Sequence, residues 1–134
     1  MHVYFSKIQL AFPLSLIEDQ LNFLTDAHRD LIKRLEGRGL NLMEEIPFPP
    51  YQVDVYLPDF HAAVEVDGPQ HEASRDMRRD DDLWCVYSLP VFRIGAGEVN
   101  KPWLWLPHLL LFLFKNRESR DDRWESCKDK TPWL

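Results

Sequence analysis

Gln52-Val53-Asp54-Val55-Tyr56-Leu57, then Pro58-Asp59, then His61-Ala62-Ala63-Val64-Glu65-Val66-Asp67-Gly68, is the stretch on which the fold turns. Each run alternates. Val53, Val55 and Leu57 oppose Gln52, Asp54 and Tyr56; Ala62, Val64 and Val66 oppose His61, Ala63, Glu65 and Asp67. Successive strand residues point to opposite faces, so each run predicts a β-strand. Pro58-Asp59 is a turn signal between them, which makes the pair a hairpin ended by Gly68-Pro69.

The register has a chemical consequence. If Leu57 faces Ala62, Asp54 faces Glu65 and Asp67 shares their side. Carboxylates that close repel each other unless a cation lies between them or one takes up a proton. A solvated face would explain acids in a hairpin, but Ala62-Ala63-Val64-Glu65-Val66-Asp67 is otherwise apolar, as buried strands are. Charges placed there need partners or a metal. Carboxylate donors select a hard cation, Mg2+ or Mn2+.

Outward from the hairpin, Ile17, Leu21, Leu24, His28, Leu31 and Leu35 recur at helical spacing before Gly37 and Gly39. Ser15 with Glu18 three residues on forms a possible capping box for that helix. Residues 46–51 hold Pro47, Pro49 and Pro50, so they lead into the hairpin and cannot be a central strand. Residues 73–87 are charged and helix-compatible, residues 89–94 form a short apolar strand, and Pro107 suits the first turn of a last helix. The order helix, strand, strand, helix, strand, helix predicts an α/β fold. A crossover from the Glu65 strand to the Val91 strand makes the sheet mixed, with helices against it.

The 134 residues, 45% of them hydrophobic, suit a single domain with a real core. It is expected over residues 1–115, followed by a charged tail, 116–134, that extends the last helix and frays. The apolar run 103–114 is too short for a membrane span and is expected as a buried helix. Being apolar all round, it also offers a contact for a homodimer or a larger complex. The net charge of −6 is not that of a free-standing DNA-binding protein, although a local basic patch can still hold phosphate. Cys85 and Cys127 form no CxxC pair and are read as free thiols in a reducing, cytoplasmic setting. The first thirteen residues do not have the pattern of a signal peptide.

Several of these segments together resemble a known family. Asp54-Val55-Tyr56-Leu57-Pro58, Val64-Glu65-Val66-Asp67-Gly68, His71, Asp76-Met77-Arg78-Arg79 with Leu83, and Val91-Phe92-Arg93 are similar to the Vsr-like branch of the PD-(D/E)XK nucleases. The resemblance covers residues 15–94 and is most specific at Glu65 to His71. It implies a restriction-endonuclease-like fold and metal-dependent hydrolysis of phosphodiester bonds, in DNA before RNA. Asp54 and Glu65 would be the metal-binding acids, and the Val66 carbonyl would complete the shell. Asp67 stands where many members carry a catalytic Lys, and His71 would serve as general acid or base unless it merely caps the following helix. Glu18 reads equally as a further metal-reaching acid or as half of the capping box. Arg75, Arg78, Arg79 and Arg93 would contact nucleic acid, or pair with the interleaved Asp76, Asp80, Asp81 and Asp82. The run Glu65 to His71 is also similar to RAP domains, which implies a non-catalytic RNA-binding module. A protein-interaction domain on an inactive nuclease fold is the third reading.

Overall fold

The computed structural model describes residues 14–68 and 73–134. The first helix, α1 (Leu14–Gly37), begins one residue ahead of the expected cap, so Ser15 lies within the helix. Burial is concentrated in its C-terminal half, at Ala27, Leu31, Ile32 and Leu35, whereas Leu21 is 51% exposed. Leu31 and Leu35 are fully buried, each worth about 2 kcal/mol of apolar transfer. Two residues past the helix, Gly39 takes φ +79, a left-handed conformation that glycine adopts without a Cβ penalty.

Among the described residues four strands follow in one sheet ordered β1-β2-β3-β4: β1 (Met43–Phe48), β2 (Tyr51–Leu57), β3 (Ala62–Asp67) and β4 (Val91–Gly95). β1, β2 and β3 run antiparallel in turn, and β4 lies parallel to β3. The fold class is thus the expected one, a mixed sheet flanked by helices. β1 is a strand where the sequence suggested only a lead-in. It contains Pro47, which sits opposite Gln52 and is tolerated because β1 is an edge.

The connection from β3 to β4 is α2 (Ala73–Tyr87), which packs on one face of the sheet through Leu83 and Tyr87. α1 and α3 (Leu106–Asn116) cover the other face, over Val55, Leu57, Ala62, Val64 and Ile94. Alternation places Val55 and Leu57 correctly, but Val53 joins Tyr56 and Ala63 on the α2 side. The break falls beside Glu45 of β1, whose φ of 52 leaves a gap in the ladder between Glu44↔Val55 and Ile46↔Val53.

Two expectations for the C-terminal third are corrected. Helix α3 is not buried all round: Leu109 and Leu113 are, but Leu110, Leu111 and Phe114 are 50%, 62% and 60% exposed. It lies in an outer layer, so only one stripe meets the sheet. Nor does the segment after Asn116 fray. It forms α4 (Arg120–Cys127), whose Arg123 and Cys127 are buried. Arg123 bonds the carbonyls of Phe60, His61, Ser88 and Asn116, and Arg120 bonds that of Pro58. Among the described residues no helix is long and apolar enough to cross a membrane.

Candidate active site

The β2–β3 ladder runs from Leu57↔Ala62 to Val55↔Val64. The next residues in that register are Asp54 and Glu65, and there side chains take over from backbone pairing. The Asp54 N–H donates to Glu65 Oε2 at 3.2 Å, and the Val66 N–H donates to Asp54 Oδ2 at 2.8 Å. Each carboxylate is thereby held against the opposite strand. Both stand on the α2 side of the sheet, on the alternation that carries Tyr56 and Ala63 into the α2-side core.

Glu65 is only 4% exposed. Burial pushes its carboxyl up, to about 8, and the hydrogen bond and charge of Asp54 push the same way; Arg79 and the Asp54 N–H pull it part of the way back. Arg79 reaches down from α2 and donates Nη2 to Glu65 Oε1 and to the Gln52 carbonyl. Its guanidinium lies 5.3 Å from the centroid of the Tyr51 ring, and the Tyr51 hydroxyl donates to Asp82 at 2.6 Å. Among the described residues the buried Arg79 Nε–H has no acceptor.

Asp67 belongs to a different cluster. β4 places Arg93 opposite Glu65, but the Arg93 guanidinium turns to other acids. Nη1 donates to Asp67 at 2.6 Å, Nη2 and Nε donate to Asp80 at 2.6 and 2.9 Å, and Asp76 stands 3.7 Å away. Burial opposes the Arg93 charge, but Asp80 and Asp67 more than offset it and leave the pKa raised. Arg93 is thus tied to acids of α2 and β3. A shallow groove beside this cluster is lined by Asp67, Asp76, Asp80, Asp81, Met77 and Arg93.

The fold thus brings Asp54, Glu65 and Arg79 together and ties Asp67 to Arg93. Arg75 and Arg78 are exposed on α2. Glu18 is exposed on α1, the helix on the opposite face of the sheet. His71 lies outside the described residues. Sequence reasoning missed Tyr51 and the Gln52 carbonyl as the seat of Arg79, since the prolines before them read only as a lead-in. It also missed the interior group at the hairpin turn. There Tyr56 Oη lies 2.8 Å from His61 Nδ1, His61 Nε2 lies 2.9 Å from the Tyr87 carbonyl, and Cys127 Sγ is 3.4 Å from Nε2. The parity of His61 with Glu65 did put it on the α2 side.

Among the described residues no group of three or more His, Cys, Asp or Glu side chains is arranged to hold a metal ion. The pair itself nevertheless fits a hard divalent cation. Two carboxylates repel each other in a buried setting, and magnesium is commonly bound by one or two carboxylates with water filling the other positions. Asp54 and Glu65 would hold it, with the Val66 backbone alongside.

No family model and no curated protein matches the sequence. Among solved structures, the catalytic domain of the homing endonuclease I-Bth0305I is similar to the chain, at 17% identity and a TM-score of 0.47, covering 73% of this chain and 92% of that one.

Proposed function

We propose that the protein is a metal-dependent nuclease hydrolysing phosphodiester bonds, in DNA before RNA, with Asp54 and Glu65 as the acids that hold Mg2+ or Mn2+. The observation that carries this reading is the reciprocal arrangement of the two carboxylates. Each is fixed by a backbone N–H of the facing strand, and their mutual repulsion is left for a cation to relieve. A bound divalent ion supplies Lewis-acid polarisation of the phosphate and a bound water of lowered pKa. The residues of the chain do the rest. Asp54 and Glu65 set the position of positive charge at the end of the hairpin, where a preorganised field is worth most. His71 moves the proton between water and leaving group. Arg75 and Arg78, on the exposed side of α2, contact the phosphate backbone. Asp67 serves by holding Arg93 and so the joint between β3 and β4. A reducing, cytoplasmic setting suits the two free thiols.

The test is single-turnover cleavage of labelled DNA and RNA substrates with Mg2+ or Mn2+, alongside thermal melting. The ion is expected to raise the melting temperature of the wild type and to leave that of Asp54→Asn nearly unchanged. Glu65→Gln is expected to lose cleavage and stabilisation together. Equal metal responses in wild type and Asp54→Asn would remove Asp54 from the site. A second reading, a protein-interaction domain on this fold, draws on the exposed face of α3. It predicts metal-independent melting and no cleavage of any substrate.

A further inference from the structure

Three of the buried or half-buried arginines, Arg93, Arg123 and Arg79, differ in how completely they are used. Arg93 places Nε, Nη1 and Nη2 on carboxylate oxygens. Arg123 places all three nitrogens on carbonyls or a hydroxyl. Among the described residues Arg79 uses Nη2 alone, shared between Glu65 and the Gln52 carbonyl, and leaves a buried Nε–H without an acceptor. A guanidinium built as a permanent partner of a carboxylate takes it with two parallel bonds, and a buried unpaired donor is costly. Arg79 is therefore poorly fitted as the final partner of Glu65. It is also the cation nearest the point at which the carboxylate pair calls for one, and its side chain remains 27% exposed, on the surface of a helix, with a path outward.

We propose that Arg79 is an exchangeable counter-ion: it occupies the cation's place on Glu65 in the metal-free protein, yields it to a divalent ion, and is released to a non-bridging oxygen of the phosphodiester. This rests on the metal reading of Asp54 and Glu65 and adds to it a second task for one residue. Glu65 Oε2 keeps its bond from the Asp54 N–H, so the position that the exchange frees for an ion is on Oε1, the oxygen that Arg79 holds. A guanidinium left beside a divalent cation would be repelled, and at the low effective dielectric of a half-buried site that repulsion is substantial. Tyr51 offers the departing guanidinium a ring face to slide along. In the metal-free protein the same contact offsets part of the cost of a charge on Glu65 beside Asp54.

Competition between Arg79 and the ion makes metal binding the readout, with no need for activity. Mn2+ is titrated calorimetrically at one pH and ionic strength into wild type, Arg79→Met and Asp54→Asn. Methionine keeps an unbranched apolar stem and removes the charge. The expected result is that Arg79→Met binds Mn2+ about tenfold or more tightly than wild type, while Asp54→Asn binds little. Equal or weaker binding by Arg79→Met, with wild-type binding still dependent on Asp54, would make Arg79 a strut that positions Glu65; that overturns the exchange and leaves the metal site standing. No binding by wild type or Arg79→Met would overturn both. An experiment on the unmutated chain covers the case in which Arg79→Met does not fold. The 15N–1H signal of the Arg79 Nε–H is followed as Mg2+ is added. A shift and faster solvent exchange are expected as the side chain leaves its seat, and an unchanged signal at saturating Mg2+ would refute the exchange.

Discussion

At its turn the β2–β3 hairpin buries a histidine beside an arginine; at its open end it buries a glutamate beside an aspartate. The two ends are built from similar polar material but finished differently. At the turn, His61 Nε2 faces the Tyr87 carbonyl, which can only accept, so Nε2 carries the proton and Nδ1 accepts from the Tyr56 hydroxyl. The ring is held neutral, and burial pushes its pKa down to about 4. Arg123 beside it meets only carbonyls and a hydroxyl, spread over three stretches of the chain. Each of these nitrogen and hydroxyl donors has an acceptor. At the open end two carboxyls adjoin, one is pushed far up, and the Arg79 beside it is incompletely bonded among the described residues. A saturated polar cluster fixes a structure; an unsaturated one keeps free energy available for a ligand.

The turn end is where the largest loss is expected. Arg123→Met removes a buried cation and strands the carbonyls of Phe60, His61, Ser88 and Asn116. Breaking such a buried network costs about 3–5 kcal/mol. Urea unfolding should register a loss of that size, with α4 detached from the hairpin turn. A loss below about 1 kcal/mol, the worth of an ordinary hydrogen bond, would mean that the two ends are not built differently after all.

The same contrast predicts opposite pH dependences for the metal-free protein. His61 has a folded pKa lowered from 6.5 to about 4, so the unfolded chain binds more protons in that window. Its contribution is present above pH 6.5 and is lost as pH falls towards 4. Glu65 has a folded pKa raised from 4.5 to about 8, so the folded chain holds the extra proton. Its contribution is present below pH 4.5 and is lost as pH rises through 8. Glu65→Gln should therefore remove a decline above pH 6.5 and leave the variant more stable than wild type at pH 8, by about 2 kcal/mol or more. His61→Asn, which tolerates the φ of 45 at that position, should flatten the acid side by a similar or smaller amount. Stability is to be measured by denaturant unfolding at each pH without divalent ions. A Glu65→Gln curve parallel to wild type between pH 6.5 and 8 would contradict the burial of an acid pair.

Much of this was legible in the chain, for a physical reason in each case. Period-two alternation around Pro58-Asp59 gave the hairpin, its register and the shared side of Asp54 and Glu65, because a strand's faces follow parity. The parallel pairing of β3 with β4 followed from a helix lying between them in sequence. Partners distant in sequence were legible only in part. The residues offer Arg93 an acid of the Asp76–Asp82 helix as partner, but that Asp80 holds it by two bonds and that Asp67 joins from β3 depends on how α2 packs on the sheet. Arg123 was lost in a charged tail, since composition cannot tell a solvated arginine from one that has gathered carbonyls. The exposure of α3 went unread because a helix with apolar residues all round does not say how many layers surround it.

That helix gives the smallest expected effect and the last test of the comparison. Leu111 is 62% exposed and Phe114 60%, on the side of α3 away from Leu109 and Leu113. Exposed positions away from caps, cores and buried polar groups change stability by no more than about 0.5 kcal/mol when substituted. Leu111→Lys should stay within that limit at both low and high protein concentration, while Leu109→Ala, at a fully buried position, should cost about 2–5 kcal/mol. The concentration series gives the measurement its edge. A face covered by a second copy of the chain makes the melting temperature rise with concentration, and Leu111→Lys would abolish that rise. Melting independent of concentration in both proteins leaves α3 an outer-layer helix held by one stripe, and confines the unsaturated features of the sheet to the Asp54–Glu65 end.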